Sequence, residues 1–264
     1  ELNKLAGVSA RYHKSTFGKA LMGIYKAKGI NDSIKVNDLI IKGNGTFAQQ
    51  ITSISMLQQK KIINTVKTGM TAGKALNSIA LDVGKLGLLQ STVQTKTLIR
   101  TAITQTSMHV QNMTYALNDD VVKGYQYVAT LDTRTSLICG RLDGKVFSLN
   151  SEFAPKPPQH FNCRSTTVPI IKSADQLLNT KNNRIKKRKL ANISSARRAS
   201  MNGQVPARLN YTTWLGKQTN DTKLTILGSP KRVNIFNQGK LKLTQFSNKE
   251  GKLISLEKLE QLSS

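Results

Sequence analysis

The hydrophobic pattern changes its period near Gly124, and this change constrains the fold more than any other feature of the sequence. Upstream of it, apolar residues recur at helical spacing, as in amphipathic helices. Three segments show this spacing: FAQQITSISMLQQKKIINTVKTGM, TAGKALNSIALDVG and VQTKTLIRTAITQTSMHVQNMTYALN. Downstream of it, short β-like runs replace the helical pattern. The change therefore predicts an α+β fold with a mainly helical N-terminal part.

Three β-like runs occupy the middle of the chain, at Tyr125–Leu131, Val146–Leu149 and Ser165–Ile171. A short helix over Leu137–Leu142 and an Asp-Gly turn separate the first two runs, and a proline-rich loop separates the last two. We therefore expect a compact β-containing module. The runs alone leave open whether its strands are parallel or antiparallel.

The composition after this module becomes basic, and the pattern returns to helix from Ser173 onward. The segment ISLEKLEQL predicts a final helix. We expect three regions: a helical region over 1–118 that contacts a partner protein, the β-containing module over 119–172, and a basic, mostly helical region over 173–264. For the N-terminal helices, packing within the chain is the alternative to packing on a partner.

Positive charge dominates the composition, with 40 Lys and Arg against 14 Asp and Glu and a net charge of +26. No acidic residue occurs from Leu39 to Leu81 or from Gln176 to Asn220. Charge this large exceeds what solubility requires and predicts a polyanionic partner, with a solvated basic surface as the alternative. The candidate DNA-binding residues are Arg184, Lys186, Lys187, Arg188, Lys189, Arg197 and Arg198.

The arrangement of these basic residues favours contact with the backbone of double-stranded DNA. On a helix, positions 186–189 would point in nearly all directions, which suits nonspecific phosphate contact better than base readout. No aromatic residue lies between Phe161 and Tyr211, so a stacking platform for single strands is not indicated. An acidic surface of a partner protein is the alternative for this stretch.

Several functional classes lack their sequence signatures. No apolar run of about 18 residues occurs, so we expect no membrane partner. The chain has no P-loop, Rossmann G-x-G-x-x-G or G-x-S-x-G motif, and it lacks the zinc deaminase signature. We therefore expect a protein that is not an enzyme and has no small-molecule substrate.

The only two cysteines, Cys139 and Cys163, form with His160 the pattern C-x20-H-x2-C. Thiolates and imidazoles are the ligands that zinc prefers, and a structural zinc site takes four of them. A disulfide and a pair of ordinary buried thiols explain the same residues, and the spacing does not choose among the three. Nothing marks Cys139 as an activated nucleophile. Candidates for a fourth ligand are Asp132, Asp143 and His109.

The run YVATLDTRTSLICGRLDGKVFSLN, followed by PPQHFNCRSTTVP, resembles the signature of the phage head morphogenesis family, the minor head proteins similar to protein F of phage Mu. Phe161 departs from the family pattern, which often has proline there, but the His-to-Cys spacing is unchanged. The downstream segment SMNGQVPARLNYTTWLGKQ also resembles this family, so the resemblance covers about residues 95–262. The matching positions are Asp132, Arg134, Thr135, Cys139, Asp143, Gly144, Lys145, Phe147, Pro157, Pro158, His160, Cys163 and Arg164.

The resemblance implies a structural virion protein inside the capsid, associated with the portal and the DNA and acting in head assembly, packaging or DNA ejection. It favours a structural Zn²⁺ bound by Asp132, Cys139, His160 and Cys163 over the disulfide and the plain core. It also assigns Arg134 and Arg164 a structural role, pairing with carboxylates and fixing the loops. For Arg164, a charge facing DNA is the alternative.

The predicted function is therefore that of a phage minor head protein, found in the virion and, during assembly, in the host cytoplasm. The alternative from another class is a metal-dependent nuclease or other DNA-processing enzyme that uses the Asp, His and Cys cluster as an open catalytic site.

Overall fold

The fold comes from a computed structural model, which describes residues 55–87, 92–151, 154–173, 176 and 197–263. Helices and small antiparallel sheets share these residues, which confirms the predicted α+β class. The predicted elements upstream of residue 55 lie outside the described residues. Among the described residues, no helix combines the length and the apolar character that crossing a membrane requires.

Three helices form the first part of the described chain: α1 (Met56–Thr71), α2 (Leu76–Gly84) and α3 (Thr92–Leu117). Their apolar faces meet in a small core, and Gly69 of α1 lies directly against the side chain of Ile79 of α2. The helices thus pack on each other within the chain, as their apolar stripes require. The core residues are Ile62, Ile79, Ala80, Val83 and Ile99.

The middle of the chain forms a three-stranded sheet in the order β2-β1-β3, and both strand pairs are antiparallel. The strands are β1 (Val122–Val128), β2 (Val146–Ser148) and β3 (Thr166–Ile171). Between β1 and β2 lies α4 (Leu137–Leu142), with the bounds that the sequence predicted. The C-terminal half of α3 packs on this sheet through Tyr115. The side chain of Tyr115 shares a small core with Val121, Val122 and Tyr125.

The C-terminal part begins with a β-hairpin and continues as short helices. The strands β4 (Arg197–Ser200) and β5 (Gly203–Pro206) pair antiparallel. The elements that follow are α5 (Tyr211–Gly216), α6 (Asn220–Leu227), α7 (Pro230–Asn237), a 3-10 turn (Leu243–Gln245) and α8 (Leu256–Ser263).

The hairpin corrects the prediction of helix for residues 197–206. Met201 and Asn202 form its turn, and Gly203, the first residue of β5, has a φ of 96°, a conformation that glycine adopts without strain. An Asn-Gly pair between two short segments is a hairpin signal, and the basic composition of the stretch obscured it.

One large apolar core joins the C-terminal helices to the β-containing module. Trp214, Leu227 and Phe246 are almost fully buried in it, and Leu131 and Leu137 of the module belong to the same core. The expected boundary at residue 172 therefore separates two stretches of sequence that bury their side chains together.

Candidate metal centre

Cys139, His160 and Cys163 come together where α4 faces the loop between β2 and β3. Cys139 lies in the first turn of α4, where its backbone N–H donates to the hydroxyl of Ser136, the residue that caps the helix. His160 and Cys163 lie in the loop that leads into β3. The sequence thus predicted a real spatial group, because all three candidates are neighbours in the structure.

The distances within the group fit a shared metal ion better than a disulfide. The two Sγ atoms are 3.7 Å apart, whereas a disulfide requires about 2.05 Å. A tetrahedral zinc with Zn–S bonds of about 2.3 Å holds two sulfurs about 3.8 Å apart and an imidazole nitrogen about 3.5 Å from each. The Nε2 of His160 lies 3.2 Å from the Sγ of Cys139, and all three donor atoms lie within 4.8 Å of one another. These side chains fit a zinc ion.

The ring of His160 is oriented for metal binding through Nε2. Its Nδ1 lies 2.7 Å from the carbonyl oxygen of Phe161 and donates to it, which leaves the Nε2 lone pair directed at the cysteines. Metal-binding histidines commonly donate their other ring N–H to a carbonyl, because this contact fixes the tautomer and the ring orientation.

Helix α3 holds the loop that carries His160 and Cys163. The hydroxyl of Thr101 accepts from the backbone N–H of Asn162 at 3.2 Å, and the hydroxyl of Thr104 donates to the carbonyl of Cys163 at 3.3 Å. The side-chain amide of Asn162 lies 3.0 Å from the hydroxyl of Thr97. The threonine-rich face of α3 thus has the loop as its partner. The recurrence of Thr97, Thr101 and Thr104 at helical spacing was the signal for it.

The environment of the two thiols makes them unequal. The pKa of Cys163 lies below the usual thiol range, first because the Cys139 thiol donates a hydrogen bond to it and further because His160 lies beside it. The pKa of Cys139 is raised, first by that same hydrogen bond and then by burial. The pKa of His160 is raised, first by its hydrogen bond with Cys163. Without a metal, Cys163 is therefore the more readily ionised of the two thiols.

Tyr127 is a member of this cluster that sequence reasoning missed. Its hydroxyl lies 3.2 Å from the Sγ of Cys139, and its ring is fully buried beside Ala129 and Cys163. Burial raises the pKa of this phenol above its usual value. The tyrosine thus remains neutral and supplies a hydrogen bond to the sulfur.

Asp132, predicted as the fourth metal ligand, pairs with Arg164 instead. Its two carboxylate oxygens accept from Arg164 at 2.5 and 2.7 Å, and Oδ1 also accepts from the backbone N–H of Arg134 and the hydroxyl of Thr135. The Arg164 hydrogen bonds come first among the causes that lower the pKa of Asp132. Among the described residues, the metal-binding group therefore consists of the two cysteines and His160, without Asp132.

The carboxylate pairing expected of Arg164 and Arg134 is present in the structure, but the two contacts differ. Arg164 makes a bidentate pair with Asp132, which ties the start of β3 to the loop after β1. The guanidinium of Arg134 lies 3.8 Å from the same carboxylate, and its side chain is 80% exposed. Arg164 is thus fixed in place, and Arg134 is held only loosely.

A second carboxylate, Asp143, binds the module to the C-terminal part. Its oxygens accept from the backbone N–H groups of Ala129 and Tyr211 at 2.6 and 2.7 Å, and from the guanidinium of Arg198 at 2.8 and 3.0 Å. Arg198 also donates to the carbonyls of Ala129 and Leu209. The side chain of Asp143 is fully buried and that of Arg198 is 9% exposed. This burial corrects the prediction that Arg198 contacts DNA.

The other predicted DNA-binding residues do not belong to the Asp143–Arg198 pair. Arg197, the neighbour of Arg198 on β4, is exposed, and its guanidinium donates to the carbonyl of Gln204 across the hairpin. The rest of the predicted set lies outside the described residues: Arg184, Lys186, Lys187, Arg188 and Lys189.

The part of the chain that contains this site matches a known protein family. Residues 60–168 match the family described as phage Mu protein F like protein, a range that contains the whole Cys and His group. The match begins in α1, upstream of residue 95, where the resemblance seen in the sequence begins. It ends in β3, so the resemblance that the sequence shows over residues 169–262 stays a prediction.

The chain was also compared with curated proteins and with solved structures. A Haemophilus influenzae protein described only as uncharacterized is 29% identical over 164 residues, which are 60% of this chain and 34% of that protein. The chain thus spans about a third of the length of this relative. No solved structure matches the chain significantly. Residues 60–168 of this chain, less than half of its length, are thus similar to the phage Mu protein F like family.

Proposed function

We propose that this chain is a minor head protein of a bacteriophage, a structural component that acts in head morphogenesis. The observation that carries the proposal is the family match over residues 60–168, a range that includes the Cys and His group. In finer detail, we place the protein inside the capsid near the portal, in contact with the packaged DNA, with a role in assembly, packaging or ejection.

We propose a structural Zn²⁺ held by Cys139, His160 and Cys163. The three donors join α4 to the loop before β3, two segments separated by about 20 residues and otherwise held by hydrogen bonds. When bound, zinc supplies positive charge that stabilises the two buried thiolates and cross-links these segments. We assign it a structural role, because the two cysteines that would hold it pack beside Tyr127 in the core of the module.

We propose that DNA contact depends on the basic stretch before β4, together with exposed Arg197. The net charge of +26 supports this, because each contact between a basic side chain and a phosphate releases bound counterions. We also propose that the N-terminal helices contact the portal or another head protein. Three of their apolar side chains are more than half exposed, which supports such a contact: Leu57, Leu81 and Val93.

The head function is tested in the phage that encodes the chain. Quantitative mass spectrometry of purified virions is expected to find the protein in few copies per particle. Removal of its gene is expected to give heads that are missing, empty or unable to deliver DNA. Virions of normal composition and infectivity without the protein would contradict the proposal.

Zinc is tested by elemental analysis of the purified protein, with one zinc per chain expected. Cys163→Ser and His160→Asn are expected to lose the zinc and the thermal stability that it gives. The matched control is His109→Asn, because His109 is exposed on α3 and outside the group. Metal-dependent cleavage of duplex DNA, abolished by His160→Asn with the fold intact, would instead favour the nuclease alternative.

A further inference from the structure

The proposed metal site has three protein donors, although zinc prefers four. The chain contains two cysteines and three histidines in all, so the group already holds both thiols and one imidazole. Among the described residues, His109 lies apart from the group, and both carboxylate oxygens of Asp132 accept hydrogen bonds from Arg164. A fourth ligand from outside the chain is consistent with this donor set, and the following inference rests on the proposed zinc site.

A pocket opens directly beside two of the three donors. Cys139 and His160 line it; its enclosed part has room for about one water molecule, and most of its roughly 190 Å³ lies in a mouth that is open to solvent. Arg134 and Arg164 line the same pocket, together with hydroxyl side chains such as Thr135. No acidic side chain is among its lining residues. The pocket thus combines positive charge with hydrogen-bond donors, which favours a negatively charged ligand.

The two arginines suit such a ligand in different ways. Arg164 is held in one position by its bidentate pair with Asp132, and its side chain is still 37% exposed. Arg134 makes a contact of 3.8 Å with that carboxylate, longer than a hydrogen bond, and is 80% exposed. A guanidinium held this loosely can turn toward a ligand without breaking a strong interaction.

We propose that this pocket binds a phosphate group, with one phosphate oxygen as the fourth metal ligand and the other oxygens held by Arg134 and Arg164. A phosphate offers separate oxygens to the metal and to each guanidinium, whereas a carboxylate offers only two oxygens for three partners. The phosphate belongs either to free inorganic phosphate or to a nucleic acid end. Binding changes no covalent bond of the phosphate.

The test uses the full chain loaded with Co²⁺, whose absorption reports both its thiolate ligands and its fourth ligand. Inorganic phosphate is expected to change the ligand-field bands in a saturable way, and acetate is expected to bind at least about tenfold more weakly. A duplex with 5′ phosphates, compared with the same duplex without them, distinguishes a nucleic acid end from the free ion.

Arg134→Gln is expected to weaken phosphate binding about tenfold while leaving the thiolate-to-cobalt band unchanged. The matched control is Arg141→Gln, because Arg141 lies on α4 of the same module, donates to the carbonyl of Asn248 and does not line the pocket. A chain without the thiolate band would overturn the metal site itself. A normal thiolate band with no response to phosphate, or an equal response in Arg134→Gln, would overturn only this inference.

Discussion

Two aspartate–arginine pairs flank α4, and they differ in burial and in what they join. Asp143 and Arg198 form a pair that is closed to solvent, with side chains 0% and 9% exposed. Asp132 and Arg164 form a pair at the edge of the pocket, with side chains 12% and 37% exposed. The first pair joins the β-containing module to the C-terminal helices. The second positions the loop that carries the metal-binding residues.

The difference shows how one kind of interaction serves two purposes. A charge that is fully buried must be paired, since an uncompensated charge in the interior is strongly destabilising. A pair at a pocket edge contributes less to stability, because water screens it, but it leaves part of the guanidinium accessible. We therefore expect the Asp143 pair to govern stability and the Asp132 pair to govern the shape of the site. Tyr211 touches both, since its N–H donates to Asp143 and its hydroxyl to the carbonyl of Asp132.

The largest effect is expected for Asp143→Asn. This change leaves the Arg198 guanidinium buried without its counter-charge and weakens the contacts of two backbone N–H groups, so we expect a loss of about 3–5 kcal/mol in the free energy of unfolding. Urea unfolding followed by circular dichroism measures it. The matched control is Asp119→Asn, at an exposed aspartate, with an expected change below about 0.5 kcal/mol. Equal small effects in the two variants would break the comparison.

The next effect is expected for Gly140→Ala, which tests the packing beside the closed pair. A methyl group on Gly140 would lie 2.7 Å from the ring of Tyr211, which is fully buried and has its N–H bonded to Asp143. We expect a loss of about 1–3 kcal/mol in the free energy of unfolding, measured by urea titration. Gly216→Ala, where a methyl group meets no atom within 4 Å, is the control, and a similar loss there would contradict the explanation.

A smaller effect, with a pH dependence, is expected for Asp132→Asn in the metal-free protein. We expect a loss of about 1–2 kcal/mol in the free energy of unfolding at pH 7, since the pair with Arg164 is partly screened by water. The pKa of Asp132 is lower in the folded state than its ordinary value of 3.8, first through the hydrogen bonds from Arg164. Its stabilising contribution is therefore complete above the unfolded pKa and is lost as the pH falls through the lower folded pKa.

The measurement for this prediction is the difference in the free energy of unfolding between the parent protein and Asp132→Asn from pH 7 down to pH 2. The difference is expected to stay constant down to about pH 5 and to shrink below about pH 4. A difference that grows with acidity would show that the carboxylate is not stabilised in the folded state.

The smallest effect is expected for Thr101→Val, which removes the acceptor for the backbone N–H of Asn162 at the base of the metal-binding loop. We expect a loss of about 1 kcal/mol in the free energy of unfolding, together with faster amide exchange at Asn162. Thr213→Val is the control, because this threonine is exposed on α5, and amide exchange at Asn162 is expected to be unchanged there. Unchanged exchange in Thr101→Val would show that α3 does not hold the loop.

The sequence by itself determined the features that depend on local pattern. Hydrophobic spacing predicted the helices upstream of β1 and the α+β class, and the bounds of α4 agree with the prediction. The pattern C-x20-H-x2-C identified the Cys and His group, because two of its members are close in sequence and the module is small. The hairpin between β4 and β5 also had a local signal, the Asn202-Gly203 pair, which was outweighed by the charge of the stretch.

Only the tertiary structure decided which distant side chains meet. Charge in the sequence does not distinguish exposed Arg197 from buried Arg198, since the two are neighbours and differ only by the alternation of side chains along β4. Likewise, the sequence predicted Asp132 as a metal ligand, and only the structure showed that Arg164, 32 residues away, lies beside it. Hydrophobic period tells which face of an element is buried, but the partner of a polar group depends on where the other elements pack.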